Sequence, residues 1–193
     1  MMGIEIRRLS PKLTDDFLRF FDETPHSTGK KEDKCYCVCW ASTATSAEEC
    51  SGAEKRRAVA KSYVEANLLQ GYLAYSDGRV VGWCNANTKS NCYQSLSWQM
   101  FMGSIAKDDT KVKSVFCFSI SPSYRGKGLA KALLNRVCND AKKEGFDFVE
   151  AYPNETFADT EKDFMGPRKM YEQEGFVACY EAKGRTVMRK RLF

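Results

Sequence analysis

Short runs of apolar residues, some alternating with polar ones, predict β-strands along the chain. Residues 4–9 read as a first strand with Ile4 and Ile6 on one face. The runs at 72–75 and 80–85 flank Asp77-Gly78, a dipeptide that supplies the positive backbone angles of a two-residue hairpin turn. These two runs therefore predict a β-hairpin.

A central strand followed by a helix is predicted in the middle of the chain. Residues 115–120 carry apolar or small side chains on both faces, which is typical of a strand buried on both sides. Pro122 lacks an N–H, so strand pairing should stop there, and a glycine-rich basic turn follows. A helix ending at Gly145 is then predicted by an apolar stripe at i, i+3, i+4, i+7, i+8 and i+11. The residues of this stripe are Ala130, Leu133, Leu134, Val137, Cys138 and Ala141.

Further elements are predicted on both sides of this centre. Ser46 with Glu49, and Ser51 with Glu54, have the spacing of a capping box before a helix. A strand at 146–152 should run parallel to 115–120, because a helical crossover joins the two. The other predicted elements are helices at 13–21 and 53–69, a short helical piece at 93–102, a helix that starts with Pro167 in its first position and stops at Gly175, and antiparallel strands at 176–180 and 186–191.

The turn between the central strand and its helix has the makings of an anion site. The first turn of a helix leaves N–H groups unpaired at the positive end of the dipole, and Gly126 and Gly128 allow a ligand close to the backbone. Arg125, Lys127 and Lys131 add positive charge. A dinucleotide fingerprint is excluded by Lys131, and a Walker motif by Gly128 after Lys127. The alternative that the turn is only a connection remains open.

Three residues of this turn carry a family resemblance. Arg125, Gly128 and Ala130 stand at the positions of the (Gln/Arg)-x-x-Gly-x-(Gly/Ala) signature, so the segment resembles the acetyl-CoA-binding motif of the GNAT N-acetyltransferases. The predicted order of elements is also similar, most closely over residues 112–192. The resemblance implies a mixed α/β fold with a mostly antiparallel central sheet, one splayed parallel strand pair and helices on both faces. We expect a single domain over residues 1–193.

The resemblance also implies which residues meet the cosubstrate, acetyl-CoA. Phe118 and Ile120 should offer main-chain groups to the pantetheine arm, and an N–H near Ile120 should polarise the thioester carbonyl. The turn and the start of the helix should hold the pyrophosphate. The predicted cofactor-binding residues are Phe118, Ser119, Ile120, Arg125, Gly126, Lys127, Gly128, Leu129, Ala130 and Lys131.

Two residues are candidates for proton transfer. Tyr171 precedes Gly175 in the Tyr-x-x-x-Gly-Phe pattern, as the family's thiol-protonating tyrosine does, and it could equally pack its helix onto the sheet. Glu150 on the parallel strand could accept the amine proton, or be a structural partner of Arg or Lys. The single histidine, His26, lies in a polar loop and is interpreted as a surface residue.

Composition narrows the class of protein. The net charge of +5 is modest, and 25 acidic residues are mixed with the basic ones, which does not favour a nucleic-acid binder. Neither a signal peptide nor a long apolar run that could span a membrane is recognised. The nine cysteines, an odd number, favour free thiols in a reducing cytoplasm over a disulfide framework.

A cluster of cysteines suggests other functions. Cys35, Cys37 and Cys39 would share one face if the segment were extended. We interpret them as small apolar filling near an acceptor pocket, with metal binding, recruiting Cys50 or His26, and redox sensing as alternatives. The aromatic residues Tyr36, Trp40 and Trp83 could line that pocket or belong to the core.

The sequence as a whole predicts a cytoplasmic N-acetyltransferase that moves acetyl from acetyl-CoA to an amine by direct attack. The acceptor would be a small molecule or a peptide, without nucleic acid or membrane as partner, and a homodimer is possible in this fold. The competing hypotheses are a non-catalytic module that binds or senses coenzyme A, and a metal or redox sensor built on the cysteine cluster. No metal is expected in the acetyltransferase.

Overall fold

The computed structural model describes residues 3–41, 50–107, 109–159 and 163–193. Seven strands form one sheet in the order β1-β2-β3-β4-β5-β7-β6, in which β4 and β5 are parallel and the other neighbours antiparallel. The predicted fold class is confirmed. The strands are β1 (Ile4–Arg8), β2 (Gly71–Ser76), β3 (Arg79–Thr88), β4 (Val112–Ile120), β5 (Phe148–Ala151), β6 (Val177–Ala182) and β7 (Arg185–Arg191).

Helices cover both faces of the sheet, as predicted. The helices are α1 (Thr14–Glu23), α2 (Ala53–Glu65), α3 (Leu129–Lys143) and α4 (Arg168–Gln173). One core contains α1, α2, Trp83 and Phe116, and the second contains α3, Val115 and Tyr171. The central strand β4 contributes to both cores because it has side chains on both faces, with Val115 in the second core and Phe116 and Cys117 in the first.

The hairpin and the long helix form for the predicted reasons. Asp77 and Gly78 have φ of +50° and +75° and join β2 to β3. In α3 the residues of the apolar stripe are buried except Ala130, which is half-buried. In the first turn of the helix, Leu129 is buried instead. Gly145, with φ of +69°, follows the last turn of α3, as the sequence indicates.

The helix α2 is shorter than predicted and starts differently. It ends at Glu65 instead of Leu69, because Asn67 adopts the left-handed conformation (φ of +56°) that stops a helix. Its N-cap is Gly52, one residue after the Ser51 of the predicted capping box. The alternative box at Ser46 and Glu49 lies outside the described residues.

Two other predicted helices are displaced. Pro167 is the N-cap of α4, in an extended conformation, instead of its first helical residue, and Gly175 ends the helix as expected. The segment predicted as one helical piece at 93–102 contains a single π-helical turn, Trp98–Met102, and the chain before it makes a 3-10 turn at Lys89–Cys92. Among the described residues, the structure has no helix with the length and apolarity needed to cross a membrane.

Candidate active site

A cleft of about 430 Å³ opens at the C-terminal end of β4. Its walls are the end of β4, the turn before α3, the segment that follows α1, and the segment before α4. Nine of the ten residues predicted to bind the cofactor line it, and Lys127 is the exception. Contact between these residues and a ligand stays a prediction.

The turn before α3 presents backbone amides to this cleft. Gly126 and Gly128 have φ of +70° and +78°, a region that side-chain-bearing residues rarely adopt. The first amide to bond within α3 is that of Ala132, which donates to the Gly128 carbonyl at 3.0 Å. The amides of Leu129, Ala130 and Lys131 precede it, so they lie at the positive end of the helix dipole. This geometry suits an anionic group.

The cations predicted to attract that anion are partly engaged. Arg125 Nε donates to the Ile120 carbonyl at 3.1 Å and so holds the turn against the end of β4. Lys131 Nζ lies 2.6 Å from Glu174 Oε1, and this ion pair lowers the pKa of the Glu174 carboxyl. Lys127 Nζ lies 5.7 Å from the centroid of the Tyr124 ring, outside the cleft lining. The backbone amides are therefore the main feature of the anion site.

One edge of β4 is open beside the cleft. β5 pairs only with Val112 to Val115, so the rest of β4 has no strand on that side within the described chain. The Ser121 amide donates to the Val81 carbonyl of β3 at 3.0 Å, whereas the Phe118 amide bonds on the other side of β4. Alternation along the strand then directs the main-chain groups of Phe118 and Ile120 toward the open edge. The Phe118 amide is already used, because it donates to the Phe164 carbonyl at 2.7 Å.

Tyr171, the candidate acid, lies beside the cleft and not in its lining. The side chain is fully buried, and its hydroxyl donates to the Met165 carbonyl at 2.5 Å. Its ring packs edge-on against Phe176, with centroids 5.3 Å apart. Burial raises the pKa of Tyr171 well above its usual range. Phe164 and Gly166, the neighbours of Met165, do line the cleft. The Tyr171 hydroxyl is therefore bonded to a residue that lies between two residues of the cleft wall.

Glu150, the candidate base, belongs to a buried ion network. Its Oε1 lies 2.7 Å from Lys89 Nζ and accepts a hydrogen bond from the Tyr152 hydroxyl at 2.7 Å. Its Oε2 pairs with Arg189, and the side chain has no exposed surface. Glu150 is not among the residues that line the cleft. Glu150 is therefore the structural partner of Lys89 and Arg189, and its role as a base stays a prediction.

His26 was interpreted as a surface residue, but the structure places it in the cleft wall. It is half-buried and lies with Thr24, Pro25 and Ser27 opposite the turn before α3. Its Nδ1 accepts a hydrogen bond from the Thr28 amide at 3.4 Å. The sequence contains no signal for this position, because the 24–27 segment meets β4 only through the tertiary fold.

The cysteine segment is a tight turn and not an extended strand. Tyr36 and Cys37 both have positive φ, of 46° and 52°, so the three thiols do not share one face. Cys35 lines the cleft, as Cys117 of β4 does, whereas Cys37 is buried. Burial opposes ionisation of Cys37, but hydrogen bonds from the Cys117 thiol and from Asn85 Nδ2, 3.3 Å from Sγ, outweigh it and lower its pKa. Burial raises the pKa of Cys35 to about 12.

The aromatic residues near the cysteines belong to the core. Tyr36, Trp40 and Trp83 are buried and do not line the cleft. Trp40 stacks on Phe116 with ring centroids 4.5 Å apart. Among the residues that the structure describes, no three His, Cys, Asp or Glu side chains are grouped so that they could hold a metal ion.

Solved structures share this fold. The PaiA N-acetyltransferase of Thermoplasma acidophilum, solved with coenzyme A, is 18% identical over 98% of this chain and 99% of its own, with a TM-score of 0.55. YncA of Salmonella typhimurium, solved with its cofactor acetyl-CoA, is 14% identical over 99% and 95%, with a TM-score of 0.53. The ribosomal-protein-S5-alanine acetyltransferase of Vibrio fischeri is 12% identical over 99% and 94%, with a TM-score of 0.57.

The shared fold does not by itself establish the family of the protein, but a match to a family model does. Comparison with curated proteins finds no match. The model of the acetyltransferase (GNAT) family matches residues 36–176, which include β4, the turn with Gly126 and Gly128, and α3. The protein therefore belongs to the GNAT family of acetyltransferases, enzymes that take the acetyl group from acetyl-CoA.

Proposed function

We propose that this acetyltransferase moves acetyl from acetyl-CoA to the amine of a small molecule or peptide, by direct attack of the amine on the thioester. The observation that carries the proposal is the single cleft that joins the first turn of α3 to the open edge of β4. An anion site and an unpaired strand edge are the two features that a nucleotide with an amide-bearing arm requires.

The turn would bind the pyrophosphate through backbone amides. The amides of Leu129 to Lys131 lie at the N-terminus of α3, where the dipole favours negative charge. Gly126 and Gly128 bring the backbone close to the ligand. Arg125 would act mainly by holding the turn in place, since its Nε is bonded to the Ile120 carbonyl.

The open edge of β4 would orient the acyl arm. The amide of Ile120, directed to that edge, is our candidate for polarising the thioester carbonyl, and one such preorganised donor can be worth ~3 kcal/mol. The Phe118 amide could join only after release from the Phe164 carbonyl, so the Phe118 carbonyl is the group better placed to accept a bond from the arm.

Proton transfer is the least defined step. To protonate the departing thiolate, the Tyr171 hydroxyl would have to leave the Met165 carbonyl. To receive the amine proton, the Glu150 carboxylate would have to leave its present ion pairs with Lys89 and Arg189. His26 lies in the cleft wall, and an imidazole can accept a proton near neutral pH, so we propose His26 as a further candidate for the base.

The alternative of a module that binds coenzyme A without turnover is favoured by one observation. Both residues first proposed for proton transfer, Tyr171 and Glu150, make buried structural bonds. A metal or redox sensor has less support, because Cys35, Cys37 and Cys39 do not share one face.

The cellular setting is also a proposal. The nine cysteines are free thiols, several of them buried near one another, which is consistent with a reducing cytoplasm. A homodimer and the single domain over residues 1–193 remain predictions.

The test is release of coenzyme A from acetyl-CoA in the presence of a panel of amines, namely polyamines, amino acids, aminoglycosides and peptides with free N-termini. Release that depends on one amine class, and the acetylated amine found by mass spectrometry, would support the enzyme. Binding of acetyl-CoA without turnover of any amine would favour the binding module. If acetylated enzyme formed before the amine was added, transfer would proceed through the protein and direct attack would be wrong.

A further inference from the structure

A second cavity, of about 500 Å³, lies at the opposite end of β4 from the cleft. It is formed where the first residues of β4 meet the end of β1 and the segment before β2. Its lining shares no residue with the cleft lining. Residues on its wall include Arg8, Tyr72, Thr88, Lys111, Lys113 and Phe146.

Two lysine side chains on the wall of this cavity have no carboxylate partner within the described part of the chain. Lys111 Nζ donates to the main-chain carbonyl of Glu144 at 2.6 Å, and Lys113 Nζ donates to the side-chain oxygen of Gln70 at 3.4 Å. They lie 4.6 and 4.5 Å from the centroid of the same Phe146 ring. Among the described residues, neither makes a salt bridge. Both acceptors are neutral, so the wall of one cavity carries two positive charges that lack an ion-pair partner among these residues.

The one carboxylate on the wall is already paired. Glu144 forms an ion pair with Arg8, which also donates to the Tyr72 hydroxyl at 3.0 Å and lies 3.5 Å from Asp140. Arg8 and Glu144 thus offset one another. The charge of the two lysines remains.

Lys113 is more deeply buried than Lys111, so its positive charge is the less favourable of the two. Only 6% of its surface is exposed, and a buried ammonium without a counter-ion is unfavourable. Burial lowers the pKa of Lys113 to about 8; the charges of Arg8 and Lys111 add to this effect, while Glu144 and Cys92 oppose it. An anion bound in the cavity would supply a counter-charge to this ammonium.

We propose that this cavity binds a small multivalent anion carrying phosphate or carboxylate groups, held between the ammonium groups of Lys111 and Lys113. Phosphate and carboxylate groups both accept charge-assisted hydrogen bonds from lysine. The cavity has room for a molecule of the size of citrate. The site is separate from the acetyl-CoA cleft, and the proposal does not depend on the proposed function.

The experiment measures binding of sodium phosphate and sodium citrate by calorimetry and thermal midpoint at pH 7, each against sodium chloride of equal ionic strength. We expect one or both anions to raise the midpoint beyond the chloride control. Lys111→Gln removes one ammonium at an exposed position and should weaken binding at least tenfold. Lys143→Gln, the same charge change on the exposed surface of α3, should leave the affinity unchanged.

The dependence on pH and on acetyl-CoA identifies the site. Affinity should fall between pH 7 and pH 9, because Lys113 loses its proton in that window, and Lys113→Met should weaken binding at pH 7. Saturating acetyl-CoA should not displace the anion. A response to phosphate alone would identify a phosphate ligand, and a response to citrate alone a polycarboxylate. The proposal would be overturned if neither anion exceeded chloride, if both lysine variants bound as the unmodified protein does, or if acetyl-CoA competed.

Discussion

Glu150 is held in a buried ion network that the fold assembles from separate segments of the chain. Its type and its strand were consistent with a base, but its partners Lys89 and Arg189 are distant in the chain and reach it only through the fold. The same holds for His26, whose place in the cleft wall depends on the contact between the 24–27 segment and β4. Residue type indicates a possible chemistry, whereas a role needs neighbours that single-sequence patterns do not specify.

Glu150→Gln should destabilise the protein by about 3–5 kcal/mol, because it leaves the buried Lys89 ammonium facing a neutral amide. Urea unfolding measures this loss. Glu172→Gln is the matched control, since Glu172 makes an exposed ion pair with Arg168 on α4 and its loss should cost less than about 1 kcal/mol. Equal losses in the two variants would contradict a structural network at Glu150, and the turnover of the folded variant tests its role as a base.

Tyr171→Phe should cost about 1 kcal/mol, because the Met165 carbonyl loses its donor while the ring contact with Phe176 is kept. Tyr75→Phe is a suitable control, since it removes another buried hydroxyl, bonded to Asp16 at 2.9 Å and away from the cleft. If Tyr171 is the acid, only its variant loses turnover at equal folded fraction. Full turnover in Tyr171→Phe would end the acid hypothesis.

Lys113 should make stability rise with pH in one window. Its pKa in the folded protein, about 8, is below the ordinary lysine value of 10.5, so the unfolded chain binds more protons between these two values. Stability should therefore increase from pH 8 to about 10.5, by roughly 3 kcal/mol at most. Other groups titrate there too, so the measurement is the unfolding free energy of the protein minus that of Lys113→Met, in a buffer without phosphate or carboxylates. A flat difference would mean that Lys113 is not perturbed.

At the scale of elements, the strands and α3 could be predicted because their apolar patterns are strong and local. The ends were less predictable: α2 ends at Glu65, just before Asn67 adopts the left-handed conformation, and its N-cap is Gly52 and not the predicted Ser51. The arrangement of the three thiols could not be read from their spacing either, because Tyr36 and Cys37 adopt positive φ, a conformation that side-chain-bearing residues rarely take.

Two of the glycines that flank α3 permit a matched comparison. Gly126 and Gly145 have φ of +70° and +69°, and an added methyl group would meet no atom within 4 Å at either position. Each change to alanine should cost about 1 kcal/mol of stability from backbone strain. Only Gly126 lines the cleft, so only Gly126→Ala should weaken acetyl-CoA binding as measured by calorimetry. Equal affinity in both variants would show that the turn does not hold the ligand.

For the whole molecule, binding of acetyl-CoA should be visible as stability. At a concentration ~100 times the dissociation constant, a ligand that binds only the folded state stabilises it by about 2.7 kcal/mol, which raises the midpoint of a domain of this size by roughly 5 to 11 °C. NAD and ATP serve as controls for nonspecific binding of nucleotides. A shift of the midpoint with all three compounds would indicate a general anion effect. No shift with any of them would remove the main support for binding of acetyl-CoA in the cleft.

The open half of β4 has a consequence for solubility. A strand edge normally offers unpaired amides and carbonyls to other molecules and so promotes aggregation. Here the edge lies in the middle of the sheet, is set inside a cleft, and has its Phe118 amide bonded to the Phe164 carbonyl. We expect an edge enclosed in this way to accept one extended chain and to exclude the sheet of a second protein molecule. Substitutions that detach the segment around Phe164 should therefore appear first as self-association, while the fold itself persists.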